Sequence, residues 1–218
     1  MQTFSEENYL KVIYNLDKQG IKKITPTAIA EALNNNPASV IDMLKKLGDK
    51  KLLAYEKTKG AKLTPSGKAV AISVIRKHRL WEVFLLEKLG YEWDQVHDIA
   101  EQLEHIHYTD LADKLDKFLG FPKYDPHGDP IPSANGEMVS LNRIMLEEAN
   151  VGKTYKVVGV KDTNPEFLQY LKKLEIGIGT KITIKEKIPF DNSMVIRIEK
   201  NMETTVSKIF SQNLLIHE

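Results

Sequence analysis

The sequence predicts a mainly α-helical N-terminal part, made of a winged helix-turn-helix and a helical dimerisation region. A small β-barrel-like domain follows at the C-terminus. Three observations predict it. Apolar residues recur at helical spacing from Tyr9 to Phe118. Two short helices separated by an Asn-rich turn lead into a Lys-rich hairpin. From Ser140 the pattern changes to short alternating strands. The expected boundaries are 1–64 for the winged helix-turn-helix, 65–139 for the helical region with its linker, and 140–218 for the β domain.

The first helix is expected over 5–17, with Tyr9, Leu10, Val12, Ile13 and Leu16 on its buried stripe, Ser5 as N-cap and Glu6 and Glu7 in the first turn. A second runs from about Thr25 to Leu33, with Thr25 as cap and Pro26 at the first helical position. Asn34-Asn35-Asn36 makes the turn, because Asn tolerates left-handed backbone. The third helix opens with Asn36 as cap and Pro37, and buries Val40, Leu44 and Leu47. Leu52–Glu56 and Ala61–Thr64 then form a hairpin across Lys57-Thr58-Lys59-Gly60.

Helix, short turn, helix and hairpin make a winged helix-turn-helix. The start of the third helix is small and polar, which suits a groove. Thr27, Pro37, Ala38 and Ser39 are therefore the candidate contacts of the paired helices, and Lys45, Lys46, Lys57 and Lys59 the candidate phosphate contacts. Between Pro37 and Thr64 seven lysines (45, 46, 50, 51, 57, 59, 62) face three acids (42, 49, 56). A structural module of three helices and a hairpin is the bland alternative.

A long helix is expected over 66–89, one over 92–108 and one over 108–119. Their apolar stripes exceed what one small domain needs, and a two-fold dimer uses them. Such a dimer would place two recognition helices about one DNA turn apart on a palindromic operator. The segment 120–137 holds four prolines and three glycines, with Asp125 and His127 presented in a rigid Asp-Pro-His-Gly turn. Beyond it, strands are expected around Tyr155–Val157, Ile182–Ile184, Val195–Ile198 and Leu214–Ile216, with one helix at Pro165–Leu174.

Hydrophobic residues make up 42% of the 218, enough for a core, and a formal net charge of +1 gives no global signal for nucleic acid or membrane. The chain has no cysteine. That excludes disulfides and thiolate ligation and leaves oxygen and nitrogen donors, which favour harder ions. No apolar run reaches the ~18 residues of a membrane span, and the N-terminus lacks a signal pattern, so a cytoplasmic protein is expected.

The chemistry concentrates in one stretch. His97, Glu101, Glu104 and His105 recur at i, i+4, i+7 and i+8, and so share one face of the helix expected over 92–108. His78 and Glu82 repeat the i, i+4 spacing upstream, and five of the six histidines fall between His78 and His127. Side chains four apart on a helix lie roughly 5–6 Å from each other, close enough to share one ion. Imidazole with carboxylate suits a divalent first-row metal. A solvated helix face is the competing reading. A metal hydrolase is the enzyme reading, and it lacks a nucleophile elbow, a phosphate loop or HExxH.

The order of a winged helix, RKHRLWE (Arg76–Glu82), VHDIAEQLEHI (Val96–Ile106), DPHGDPIP (Asp125–Pro132) and a C-terminal β domain resembles the family of diphtheria-toxin repressor and manganese-transport regulator, along essentially the whole chain. The resemblance implies a metal-activated, homodimeric transcriptional repressor of metal-uptake genes, not an enzyme, with an SH3-like C-terminal domain. It implies one site of His78, Glu82 and His97, completed by Asp125, His127 and Asp162. It implies a second, regulatory site of Glu101, Glu104 and His105 with a residue of the first helix, for which Asn8 could donate an oxygen. Glutamate at 101, where iron-responsive relatives often carry cysteine, resembles the manganese branch. Mn²⁺ is therefore the expected metal, Fe²⁺ the alternative, and Zn²⁺, Co²⁺ or Ni²⁺ in vitro substitutes. The chain departs from the pattern at Asn8, where relatives use methionine or aspartate, and at Lys11, where some manganese regulators place a second glutamate. A winged-helix regulator of an organic ligand is the remaining alternative.

Overall fold

The computed structural model describes residues 2–199 and 202–218. The chain divides into two compact units. The first comprises residues 1–78, 101–114 and 132–137, and the second 79–100, 115–131 and 138–218.

The first unit opens with α1 (Phe4–Lys18), whose N-cap is Thr3 and not the expected Ser5. Thr3 and Glu6 form a reciprocal capping box: Glu6 N–H donates to Thr3 Oγ1 at 3.3 Å, and Thr3 N–H to Glu6 Oε2 at 3.1 Å. α2 (Pro26–Ala32) and α3 (Pro37–Asp49) start as the sequence predicts, with Thr25 accepting from Ala28 N–H and Asn36 from Ala38 N–H. Asn34 takes the left-handed conformation between them, φ 48°.

Val40, Leu44 and Leu47 of α3 are fully buried, as are Leu10 and Ile13 of α1 and Ile29 of α2. α1 packs on α2, and α2 on α3. The wing is β1 (Leu53–Glu56) paired antiparallel with β2 (Gly60–Leu63), Leu53 opposite Leu63. Gly60 has φ +83°, and a Cβ there would lie 2.6 Å from the Ile24 carbonyl oxygen; the next residue, Ala61, donates its N–H to that oxygen at 2.8 Å. The wing is thus pinned to the α1–α2 loop at a point where only glycine fits.

α4 (Pro65–Leu89) and α5 (Val96–Leu103) each give residues to both units. α5 is shorter than the helix expected over 92–108. It ends at Leu103, so Glu104 and His105 follow it in a turn rather than continuing its face. Tertiary hydrogen bonds made by these two buried side chains replace the last helical turn. α6 (Leu111–Phe118) is also shorter than expected. Among the described residues, no helix is long and apolar enough to cross a membrane.

The second unit carries a six-stranded antiparallel sheet of β3 (Ile144–Met145), β4 (Thr154–Val160), β5 (Lys181–Lys187), β6 (Met194–Ile198), β7 (Met202–Val206) and β8 (Leu214–His217). The order is β3-β8-β4-β5-β6-β7. Among the described residues its two end strands, β3 and β7, do not pair with each other, so the expected barrel is an open, SH3-like sheet. β3, β7 and the helix α8 (Lys208–Asn213) were not anticipated; α7 (Pro165–Lys173) was. Ile182, Ile184, Ile196, Leu214 and Ile216 line the core with Leu168 and Leu171 of α7. β4 is irregular between Val157 and Gly159, and that irregularity receives the loop that carries Asp125 and His127.

Candidate metal centres and nucleic-acid interface

In the first unit α1, His78 and the turn after α5 converge on a buried cluster. Glu104 is fully buried, and its Oε2 lies 2.6 Å from His78 Nδ1. His105 Nδ1 lies 2.6 Å from Glu7 Oε2. His107 Nε2 is 3.5 Å from the other Glu7 oxygen. Lys11 Nζ bonds Glu104 Oε1 at 2.7 Å, Glu104 Oε2 at 2.9 Å and Glu101 Oε1 at 2.5 Å. His78, which the sequence groups with Glu82 and His97, has its Nδ1 on the Glu104 carboxylate of this unit.

Two buried polar atoms on residues expected at this site have no hydrogen-bond partner: His105 Nε2 in the cluster, and Oδ1 of Asn8, the residue after Glu7 on α1. Nε2 lies 3.3 Å from Glu104 Oε1, but without hydrogen-bond geometry. Buried acceptors are seldom left unpaired without reason. An orphaned imidazole nitrogen beside the buried Glu104 and Glu7 carboxylates fits a cation held by oxygen and nitrogen donors. Glu7 was missed as a site residue, because an acid in a first helical turn reads as a helix-dipole partner.

The second unit holds another cluster. Glu82 Oε1 lies 3.3 Å from His97 Nδ1 and 3.4 Å from His127 Nδ1. Glu82, Asp125 and His127 are all buried, and each offers a ligand atom within 4.8 Å of the others. His127 Nε2–H donates to the Trp93 carbonyl at 2.9 Å, which turns Nδ1 toward the Glu82 carboxylate.

Burial pushes the Asp125 carboxyl up to about 7, helped by the charges of Glu82 and Asp129 and opposed by Arg79 and His127. Burial would lower His127, but the neighbouring Glu82 carboxylate outweighs it and raises the imidazole. Desolvated acids around an imidazole form a donor set that a divalent cation would satisfy by displacing the shared proton.

The loop is held rigidly. Asp125 Oδ1 accepts from His127 N–H at 2.8 Å and from Asp129 N–H at 3.0 Å. Arg79 Nε lies 3.4 Å from Asp125 Oδ2, and its Nη2 3.1 Å from Asp129 Oδ2. Gly128 has φ +87°, and a Cβ there would stand 2.0 Å from the Val158 carbonyl oxygen. Val160 N–H closes the contact on His127 O at 2.9 Å. Asp162, expected as a further ligand, lies outside this group. It is exposed, and its Oδ1 accepts from Asn164 N–H ahead of α7.

On the winged helix, Thr27, Pro37, Ala38 and Ser39 are exposed. Lys45 and Lys59 are exposed and pair only with near neighbours, Asp42 at 3.3 Å and Glu56 at 2.8 Å. Lys57 is also exposed. Lys46 differs. Its ammonium lies 3.0 Å from the buried Glu6 carboxylate, which Lys50 also meets at 2.8 Å. Burial alone would raise the Glu6 carboxyl, but hydrogen bonds from Lys50 and Lys46 hold it down at about 2. Lys46 thus ties α3 to α1.

Comparison with known proteins agrees with this layout. Residues 1–61 match the family described as iron dependent repressor, N-terminal DNA binding domain. Residues 64–133 match its metal binding and dimerisation domain, and residues 144–217 match the FeoA domain. The diphtheria toxin repressor of Corynebacterium diphtheriae is 32% identical over 192 residues, covering 83% of this chain and 84% of that one. The transcriptional regulator MntR of Oceanobacillus iheyensis is 36% identical over 57% of this chain and 84% of its own length. Other curated relatives are matched over less of themselves: the chain spans 56% of the repressor of Corynebacterium jeikeium and 54% of IdeR of Mycobacterium tuberculosis. A solved manganese-dependent transcriptional repressor in complex with manganese superposes with TM-score 0.88 at 30% identity, over 97% of this chain and 98% of that one. ScaR with bound Zn²⁺ gives 0.80 at 32%, over 98% and 99%.

A winged helix whose first helix forms one wall of a buried carboxylate–imidazole cluster defines the class, that of winged-helix proteins built around metal-ligand groups. The chain belongs to the iron dependent repressor family, which includes the diphtheria toxin repressor.

Proposed function

We propose that the protein is a cytoplasmic, homodimeric, metal-dependent DNA-binding repressor of metal-uptake genes, responsive to manganese. One observation carries this reading. The cluster of Glu104, His105 and Glu7, with the orphaned His105 Nε2, is built partly from α1, the helix that packs against the DNA-binding pair. The proposed domains are 1–64 for DNA, 65–139 for metal and dimerisation, and 140–218 as the SH3-like domain. The proposed metal ligands are His78, Glu101, Glu104, His105 and Asn8 in the first unit, with Glu7 orienting His105, and Glu82, His97, Asp125 and His127 in the second.

When bound, a divalent cation would supply the positive charge that neutralises these carboxylates. Glu104 and His105 then hold the turn after α5 to α1, and α1 in turn holds α3. That favours the conformation whose paired recognition helices fit both halves of a palindromic duplex, by differential affinity of the ion for the two states. Thr27, Pro37, Ala38 and Ser39 would face the groove, and Lys45, Lys57 and Lys59 the phosphates.

Manganese is favoured over iron on donor chemistry. The proposed ligands offer carboxylate, amide and imidazole atoms and no sulfur. The relatives named for iron and those named for manganese both fall within range, so iron is the second reading.

The test uses duplex DNA selected from a randomised library by the Mn²⁺-loaded protein. Glu104→Gln combined with His105→Ala should abolish the metal-dependent gain in binding. A double variant that responds to Mn²⁺ as fully as the parent overturns the assignment. A parent protein that selects no DNA with any of Mn²⁺, Fe²⁺, Zn²⁺, Co²⁺ or Ni²⁺ overturns the function itself.

A further inference from the structure

Lys11 occupies the place where the carboxylates of the first-unit cluster need a cation. Its ammonium sits between both oxygens of Glu104 and one oxygen of Glu101, at 2.7, 2.9 and 2.5 Å. Those three bonds use all three ammonium hydrogens. The lysine side chain is one-tenth exposed and Glu104 not at all, so this is an internal charge pair rather than a surface one. The neutral donor of the cluster behaves differently. His105 Nε2 stands without a hydrogen-bond partner. The negative groups are thus matched by a cation the chain carries itself, while the neutral donor waits for one it does not.

Resting on the function proposed above, we infer that Lys11 is a tethered competitor for the metal: a divalent ion takes the Glu104 carboxylate only as the Lys11 ammonium releases it. Both cations cannot share that carboxylate at contact distance without strong mutual repulsion in a buried site. The ammonium has somewhere to go. The Lys11 side chain is already one-tenth exposed, and its flexible four-carbon stem lets the charge swing out to water while both carboxylates stay. Lys11 therefore sets the free-metal concentration at which the cluster fills. It also stabilises the metal-free form by bringing a fixed positive charge to a fully buried carboxylate whose other close neighbours are imidazoles.

The experiment titrates the full chain with MnCl₂ by calorimetry, in a His127→Ala background that silences the second-unit cluster. Thermal melting without metal is recorded in parallel. Lys11→Met should lower the metal-free melting temperature and raise Mn²⁺ affinity at least tenfold. Lys11→Arg keeps the charge and grips carboxylates in a fixed fork, so it should bind Mn²⁺ no more tightly than the parent. If Lys11→Met does not fold, Lys11→Gln replaces it, with the same expected rise. Unchanged or weaker Mn²⁺ binding on loss of the lysine charge overturns the inference. Failure of the underlying function looks different: Glu104→Gln in the same background would then leave the Mn²⁺ isotherm untouched.

Discussion

His105 Nδ1 and Glu7 Oε2 lie 2.6 Å apart, joining the turn after α5 to the first turn of α1 across 98 positions of sequence. Both side chains are nearly inaccessible, at 7% and 4%. The contact fixes the ring, and its other nitrogen is left unpartnered. Glu7 is in this sense the residue that aims His105.

From this pairing, Glu7→Ala should impair metal-dependent DNA binding without removing the winged helix. The imidazole would lose its orienting partner, and supporting contacts of this kind are typically worth about 10–100-fold in metal affinity or activity. Fluorescence anisotropy of selected DNA across a Mn²⁺ series should show the response displaced to at least tenfold higher metal. An undisplaced curve would show that Glu7 plays no part in it.

The second-unit cluster predicts a pH dependence of metal-free stability. The Asp125 carboxyl is raised to about 7 from an ordinary value of 3.8, and His127 is raised as well. A group raised on folding contributes stability that is present below its unfolded pKa and lost as pH climbs through its folded one. Metal-free protein should therefore lose thermal stability between about pH 4 and 7, and Mn²⁺ should restore it most at the alkaline end. Melting curves at intervals from pH 5 to 8, with and without EDTA, check this. His127→Ala should flatten the difference between the two sets. The lowered Glu6 carboxyl acts in the opposite sense and only at lower pH, as acid titrates it toward about 2.

Lys57 at the tip of the wing is exposed, and its neighbour Lys59 pairs only with the exposed Glu56. Exposed pairs of that kind contribute little and exchange readily for a phosphate. Lys57→Ala should weaken binding about equally on all sequences and reduce the slope of log affinity against log salt by roughly one. Lys46→Ala should instead cost stability, since its ammonium serves Glu6. Salt titrations paired with urea unfolding of the two variants separate the roles.

Much of the fold could be read from sequence because its signals are local. Thr25-Pro26 and Asn36-Pro37 mark helix starts, Val40, Leu44 and Leu47 mark the buried stripe of α3, and the alternation at Ile182, Ile184, Ile196 and Ile198 marks strands. The exceptions have a common cause. α5 stops before Glu104 because that carboxylate is satisfied by Lys11 and His78, partners 93 and 26 residues away that no helical period can reveal. Glu7 escaped notice for the same reason, and the edge strand β3 is too short to leave a pattern. At the sites, helical spacing singled out Glu82 and His97, and it was the family resemblance that grouped them with His127; the structure has Glu82 next to both. Asp162 was named by position alone, and its turn holds it at the surface.

Glu6 and Glu7 are consecutive, yet they look in different directions: one grips Lys46 and Lys50 of α3, the other meets His105. A single rigid helical turn therefore spans the gap between ion chemistry and the helix that faces DNA. Information need travel only one residue along a crankshaft, about 1.5 Å of axial rise. No chain of intermediaries is required, and slack at either throw of the crank would be felt at the other.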